Sequence, residues 1–160
     1  MKRSDFLTFG RPQIGTEEIA EVVDSMKSGW LGTGPKVQRF ERDFASMKGV
    51  KEAAAVGSCT AALHLAMIAE EFKPEDEVIT TDLTFCATVN AILHAGATPV
   101  LVDCDRQTMN IDPEQVAAKI TPRTRAILPV HFAGRMCEMD ALMEVARHHG
   151  LKVIEDCAHA

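Results

Sequence analysis

The sequence predicts an α/β fold, a mainly parallel sheet with helices on both faces. Two observations carry this. From Glu52 onward, short runs of strand length alternate with segments of helix length. The runs are also apolar at consecutive positions, as in Val78-Ile79 and Val100-Leu101-Val102. Strands covered on both faces read in this way, and regular strand–helix alternation lays the connecting helices over both sides of one parallel sheet.

Taken in order, residues 13–28 form an amphipathic helix, with Thr16 as N-cap and Ile19, Val22, Val23 and Met26 at helical spacing. The segment Ser28-Gly29-Trp30-Leu31-Gly32-Thr33-Gly34-Pro35 breaks it with three glycines and a proline. A second helix places Val37, Phe40, Phe44 and Met47 on one face. Ala53-Ala54-Ala55-Val56 reads as the first core strand, and a helix follows from about Thr60 to Glu71. Strand Glu77–Thr81, helix Phe85–His94 and strand Pro99–Asp103 come next. Asp112 caps the helix 112–120, with Pro113 in its first turn. Arg125–His131 is a strand, 138–149 a helix and 152–156 the last strand. Residues 1–50 are a lead-in segment with two helices, and 51–160 form the α/β part.

A chain of 160 residues suffices for one domain with a substantial core. Its 17 basic against 23 acidic residues leave a net charge of −6, which argues against a nucleic-acid partner, because such surfaces are basic. No apolar stretch approaches a membrane span, so no membrane partner is expected. Lys2 and Arg3 precede no apolar run of the kind a secretory signal needs. Cys59, Cys86, Cys104, Cys137 and Cys157 are odd in number and scattered, without a C-x-x-C pair. That is the pattern of reduced thiols in a cytoplasmic protein, not of a disulfide framework or a zinc site.

Three constellations bear chemistry. In Val56-Gly57-Ser58-Cys59-Thr60-Ala61-Ala62-Leu63 a strand ends, a glycine lets the chain turn, and hydroxyl residues open a helix. Its free N–H groups and dipole make an anion site, although Ser and Thr also serve as plain N-caps. The spacing matches neither G-x-x-x-x-G-K-[ST] nor G-x-G-x-x-G. Asp82-Leu83-Thr84-Phe85 follows a strand, so Phe85 either stacks on a flat heterocycle or opens a helix as a core residue. In Glu155-Asp156-Cys157-Ala158-His159-Ala160, Asp156 can pair with a protonated ring nitrogen and His159 can touch that ring. The plain alternatives are a helix cap for Asp156 and a core histidine for His159.

His131 ends another strand on the same edge, where it lines a pocket or closes the strand. Asp103 and Asp105 flank Cys104 but read as turn residues, since no third ligand or histidine stands nearby. Arg123 and Arg125 read as a solvated strand start, and His148-His149 as a polar helix end. A phosphate cradle, a stacking surface and a carboxylate for a ring nitrogen together describe pyridoxal 5′-phosphate.

The chain resembles the DegT/DnrJ/EryC1/StrS family of sugar aminotransferases, pyridoxal phosphate enzymes of fold type I. The resemblance runs through Ser28-Gly29-Trp30-Leu31 with Gly34-Pro35, Phe40-Glu41, Gly57 to His64, Asp76-Glu77-Val78-Ile79 and Thr84-Phe85. It continues through Gly96-Ala97-Thr98-Pro99-Val100, Arg123 to Ile127, Pro129-Val130-His131 with Gly134, and Glu155 to Ala160. It implies that Ser58, Cys59 and Thr60 bind the cofactor phosphate, Phe85 stacks on the ring, Asp156 pairs with the ring nitrogen and His159 sits near the phenolic oxygen. It implies a keto nucleotide sugar as substrate, aminated at a 4-keto carbon, with glutamate and 2-oxoglutarate as donor pair. The product would serve cell-surface polysaccharide or lipid A modification.

Family members hold the cofactor as a Schiff base to a lysine beyond the Asp-x-x-His segment, and none of this chain's lysines matches it. The resemblance therefore implies an incomplete large domain, with its remainder and a small carboxyl-terminal domain outside the chain, and no turnover by the chain alone. It also implies a homodimeric parent, with the Trp30 turn as a candidate contact. Two alternatives stay open: a pyridoxamine phosphate-dependent sugar dehydratase of the same family, with histidine for the lysine, or a non-catalytic fragment.

Overall fold

The computed structural model describes Gly10 and residues 12–160; Lys2 and Arg3, on which the reading of the amino terminus rests, lie outside them. The chain forms two compact units, Met1–Ala55 and Val56–Ala160.

The first unit holds helices α1 (Thr16–Ser28) and α2 (Pro35–Lys48). Thr16 is the first residue of α1 and not its N-cap. Gly15 takes that place, and its N–H donates to Glu18 Oε2 at 2.6 Å, which satisfies one of the donors a helix start leaves free. Gly29 ends α1 in the left-handed region at φ 78°, where a side chain would be strained. Gly34 caps α2 beneath the indole of Trp30, and a Cβ there would stand 2.8 Å from the ring. Ala53–Val56 pairs with no strand among the described residues, so the expected first strand is an unladdered segment. The Ala55 N–H donates instead to Glu41 Oε1 at 2.8 Å.

The second unit is the predicted α/β layer structure. Strands β1 (Glu77–Thr81), β2 (Thr98–Val102), β3 (Thr124–Leu128) and β4 (Lys152–Val153) form one parallel sheet in the order β2-β1-β3-β4. Pro99, which has no N–H to give a ladder, lies on the edge strand β2, where proline is tolerated. Alternate residues face opposite sides. Val78, Ala126 and Leu128 pack with Leu63 and Met67 of α3 (Cys59–Ala69) and Ala91 and Ile92 of α4 (Cys86–His94). Ile79 and Ile127 face the other way, onto Val116 of α5 (Pro113–Lys119) and Leu142 and Ala146 of α6 (Met139–His149). Asp112 caps α5, its carboxylate accepting the Glu114 N–H at 2.8 Å.

The chain leaves β1 toward β2 on one side and then returns to β3 on the other. The carboxyl ends of β1 and β3 therefore flank a topological switch point, the usual place for a ligand in an open parallel sheet.

At the opposite ends of these strands, Arg123 and Arg125 are exposed, as a solvated strand start implies, but each also pairs with a carboxylate. Arg123 Nε donates to Glu77 Oε1 at 2.9 Å, and Arg125 Nε stands 3.1 Å from Asp76 Oδ1. Both carboxylates are buried. The Thr121 hydroxyl, at 2.5 Å, and then the Arg123 guanidinium hold the Glu77 carboxyl below the ordinary glutamate value of 4.5. A carboxyl whose folded value is depressed binds its proton more readily in the unfolded chain. Its contribution to stability is therefore full above pH 4.5 and is lost as the pH falls through the depressed folded value. Glu77→Gln should lower unfolding free energy by about 1–3 kcal/mol at neutral pH and flatten the acid limb of stability against pH, both read by urea titration.

Candidate functional site

Two main-chain hydrogen bonds extend the β3–β4 pairing beyond the short strand β4. The Asp156 N–H donates to the Pro129 carbonyl at 2.9 Å, and the His131 N–H donates to the Asp156 carbonyl at 3.2 Å. Asp156 is thereby fixed at the carboxyl end of β3, with its side chain only 4% exposed. Its carboxylate has donors from three elements. Thr88 Oγ1 of α4 donates to Oδ2 at 2.8 Å, the Ala158 N–H to Oδ1 at 3.1 Å, and Cys59 Sγ of α3 to Oδ1 at 3.8 Å. Burial and then the Asp156 charge push the Cys59 thiol up, so at neutral pH it stands as the neutral donor. No cation pairs with Asp156 among the described residues.

Beside it lies a cavity of about 300 Å³, lined by Thr84, Phe85, Phe132, Asp156 and His159 among others. Phe85 is the N-cap residue of α4 and is 76% exposed, so it is a cavity wall and not a core residue at a helix start. His159 is exposed as well, which sets aside the core-histidine alternative. Ser58 caps α3, its Oγ accepting the Ala61 N–H at 3.1 Å. The amides of Cys59 and Thr60, first and second in the helix, precede the residues with intrahelical acceptors and remain open to an anion. The cavity wall thus unites Phe85, Asp156 and His159, and Cys59 ties the start of α3 to the same carboxylate.

His131 does not line the cavity. It is buried, and its Nδ1 accepts the Cys137 N–H at 3.2 Å, so the ring proton sits on Nε2 and is donated to Glu155 Oε2 at 2.8 Å. This tautomer leaves no lone pair on Nε2 for a metal, although donor atoms of His131, Glu155 and Cys157 lie within 4.8 Å of one another. Asp105 is the expected turn residue, accepting the N–H groups of Gln107 and Thr108. Asp103 accepts the Cys104 N–H at 2.8 Å. The expectation that no third ligand stands nearby is corrected by Asp82, whose carboxylate lies within 4.8 Å of the donor atoms of Asp103 and Cys104.

Two residues, Thr88 and Asn110, escaped the sequence reading, and two that it named only in passing, Thr84 and Gly134, prove to support the site. Thr84, in the turn before α4, and Thr88, within it, are four positions apart, their hydroxyls 2.6 Å from each other. Their signal is a pair of hydroxyls four positions apart, Thr84 in the turn before α4 and Thr88 on its buried face. Asn110, 2% exposed, clamps the loop after β3. Its Nδ2 donates to the carbonyls of Arg135 and Met136, and its Oδ1 accepts the Phe132 N–H. Gly134, at φ 82°, lies against the His159 carbonyl, which would be 2.9 Å from an added Cβ. Gly134→Ala should therefore cost about 1–2 kcal/mol in thermal unfolding. It should also shift the His159 imidazole resonances in NMR spectra while leaving those of His148 unmoved.

The sequence profile of the DegT/DnrJ/EryC1/StrS aminotransferase family matches residues 12–160. The chain is 57% identical over 159 residues to the spore coat polysaccharide biosynthesis protein SpsC of Bacillus subtilis (strain 168), covering 99% of this chain and 41% of SpsC. Its structure resembles that of DesV from S. venezuelae in complex with a ketimine intermediate, with TM-score 0.85 and 41% identity, over 90% of this chain and 39% of DesV. It also resembles NtdA from Bacillus subtilis with bound cofactor PMP, with TM-score 0.83 and 34% identity, over 90% of this chain and 34% of NtdA. The chain spans about two fifths of the length of the curated relatives it matches.

Proposed function

The chain belongs to the DegT/DnrJ/EryC1/StrS aminotransferase family, and on that premise we propose that it forms one wall of the pyridoxal phosphate site of a sugar aminotransferase. The carrying observation is the Asp156 carboxylate, buried beside an open cavity at the switch point with, among the described residues, three donors and no cation. A buried anion left in this state favours a ligand that brings a positively charged N–H. The residues fit the cofactor on two further counts. The Phe85 ring is exposed on the cavity wall, and the first amides of α3 are open while Cys59 of that turn touches Asp156.

When bound, pyridoxal phosphate supplies an electron sink for the carbon that gains or loses the amino group. Asp156 accepts the ring N–H and keeps that nitrogen protonated. The amides of Cys59 and Thr60, with the hydroxyls of Ser58 and Thr60, take the phosphate. Phe85 covers a ring face and excludes water from it. His159 reaches the ring edge.

The substrate we propose is a keto nucleotide sugar, 4-keto in the favoured reading, aminated from glutamate for cell-surface polysaccharide. The name of SpsC, a spore coat polysaccharide biosynthesis protein, supports the polysaccharide context. The whole protein would be a cytoplasmic homodimer, with the Trp30 turn at its contact. No lysine lines the cavity among the described residues, so this chain would bind the cofactor without turning it over.

Pyridoxamine 5′-phosphate tests this reading, because its binding needs no lysine. Titrated into the 160-residue chain and followed by its own fluorescence, it should bind saturably. Asp156→Asn should weaken that binding by about tenfold to a hundredfold. Failure of the wild-type chain to bind, or equal binding by Asp156→Asn, would overturn the proposal.

A further inference from the structure

Thr88 is fully buried on α4, yet its hydroxyl hydrogen bonds to no main-chain carbonyl of its own helix. It lies between Thr84 Oγ1 at 2.6 Å and Asp156 Oδ2 at 2.8 Å. An ionised carboxylate only accepts, so the single Thr88 proton points at Oδ2. The Thr84 hydroxyl must then donate to Thr88. The chain Thr84→Thr88→Asp156 is polarised in one direction, and each bond strengthens the next.

Counting acceptor sites adds a second constraint. Each carboxylate oxygen offers about two lone pairs. On Oδ1 the Ala158 N–H and the Cys59 thiol occupy both, whereas on Oδ2 Thr88 occupies one. The remaining capacity of Asp156 is on the oxygen that Thr88 already holds. Resting on the cofactor reading above, we infer that Thr88 is a positioning residue, which through Oδ2 fixes the Asp156 carboxylate and sets how strongly it takes a ring N–H from the cavity. Thr84, on the cavity wall, supports it from the other side.

Without the Thr88 donor, the buried carboxylate has fewer bonds stabilising its negative charge and competes harder for the proton on the ring nitrogen. That nitrogen then becomes less protonated. The effect differs from loss of packing, which would weaken binding without changing the electronic state of whatever remains bound.

The experiment uses the 160-residue chain and pyridoxamine 5′-phosphate labelled with nitrogen-15 in its ring, at one fixed pH. The ring-nitrogen chemical shift of the bound ligand reports its protonation. Thr88→Val keeps the shape and removes the donor, and should weaken binding by about tenfold while moving the resonance toward the unprotonated value. Thr88→Ser should restore both. Thr84→Val, at a half-buried position, should move the resonance the same way but less, and it decides the matter should Thr88→Val fail to fold. A resonance at the wild-type position in Thr88→Val, or in Thr84→Val where only that variant folds, would overturn the inference and leave the cofactor reading standing. A wild-type chain with no bound-ligand resonance would overturn both.

Discussion

The placement of one carboxylate governs the rest of the site. Asp156 is held at both main-chain groups by the carbonyl of Pro129 and the N–H of His131, the two residues flanking Val130, its partner across the parallel bridge. Those two bonds carry the pairing of β3 and β4 past the last regular ladder residues and drive an acidic side chain into the sheet's carboxyl edge. A charge at that depth is costly unless it is hydrogen-bonded. The surroundings of Asp156 meet this demand with one donor from α4, one from α3 and one from the turn that follows. The same requirement explains why a threonine interrupts the apolar face of α4 at Thr88.

The two ends of the central strands handle charge differently. At the amino ends, Asp76 and Glu77 are buried but each meets an arginine, so the carboxylates there are neutralised within the fold. At the carboxyl ends, Asp156 is equally buried and, among the described residues, meets neutral donors alone. Both arrangements come from one sheet. The first arrangement is complete in itself and serves stability. The second leaves a net negative charge facing a cavity, which is what a cationic ligand needs.

Much of this was legible in the sequence. Consecutive apolar residues in β1, β2 and β3 specified a parallel sheet covered on both faces, and Asp112-Pro113 marked the start of α5. Phe85, Asp156 and His159 were visible because each follows an apolar run, and such runs end at the edge where ligands bind. What stayed hidden depended on partners distant along the chain. Ala53–Val56 has the composition of a strand, but composition cannot supply a ladder partner. Arg123 and Arg125 are solvated as they read, but their pairing with Glu77 and Asp76 depends on the register of the sheet. Thr88 meets Asp156 across 68 positions, and no local pattern encodes that pairing.

A purely structural role for Asp156, as a cap on the turn 157–160, explains one of its bonds and not the others. Capping that turn needs only the Ala158 N–H, and a cap works as well in solvent, where its charge costs little. Here the carboxylate is withdrawn from solvent and takes further donors from two helices across the fold. Those donors orient it without neutralising it. An asparagine would cap the turn at far lower cost in desolvation, so the negative charge itself is what the arrangement preserves. Phe85, left exposed on the cavity wall where a core aromatic would bury its ring, fits the same account. The fold tolerates an unsheltered ring and an uncompensated charge side by side, and it is this pairing on which the proposal of a flat cationic heterocycle rests.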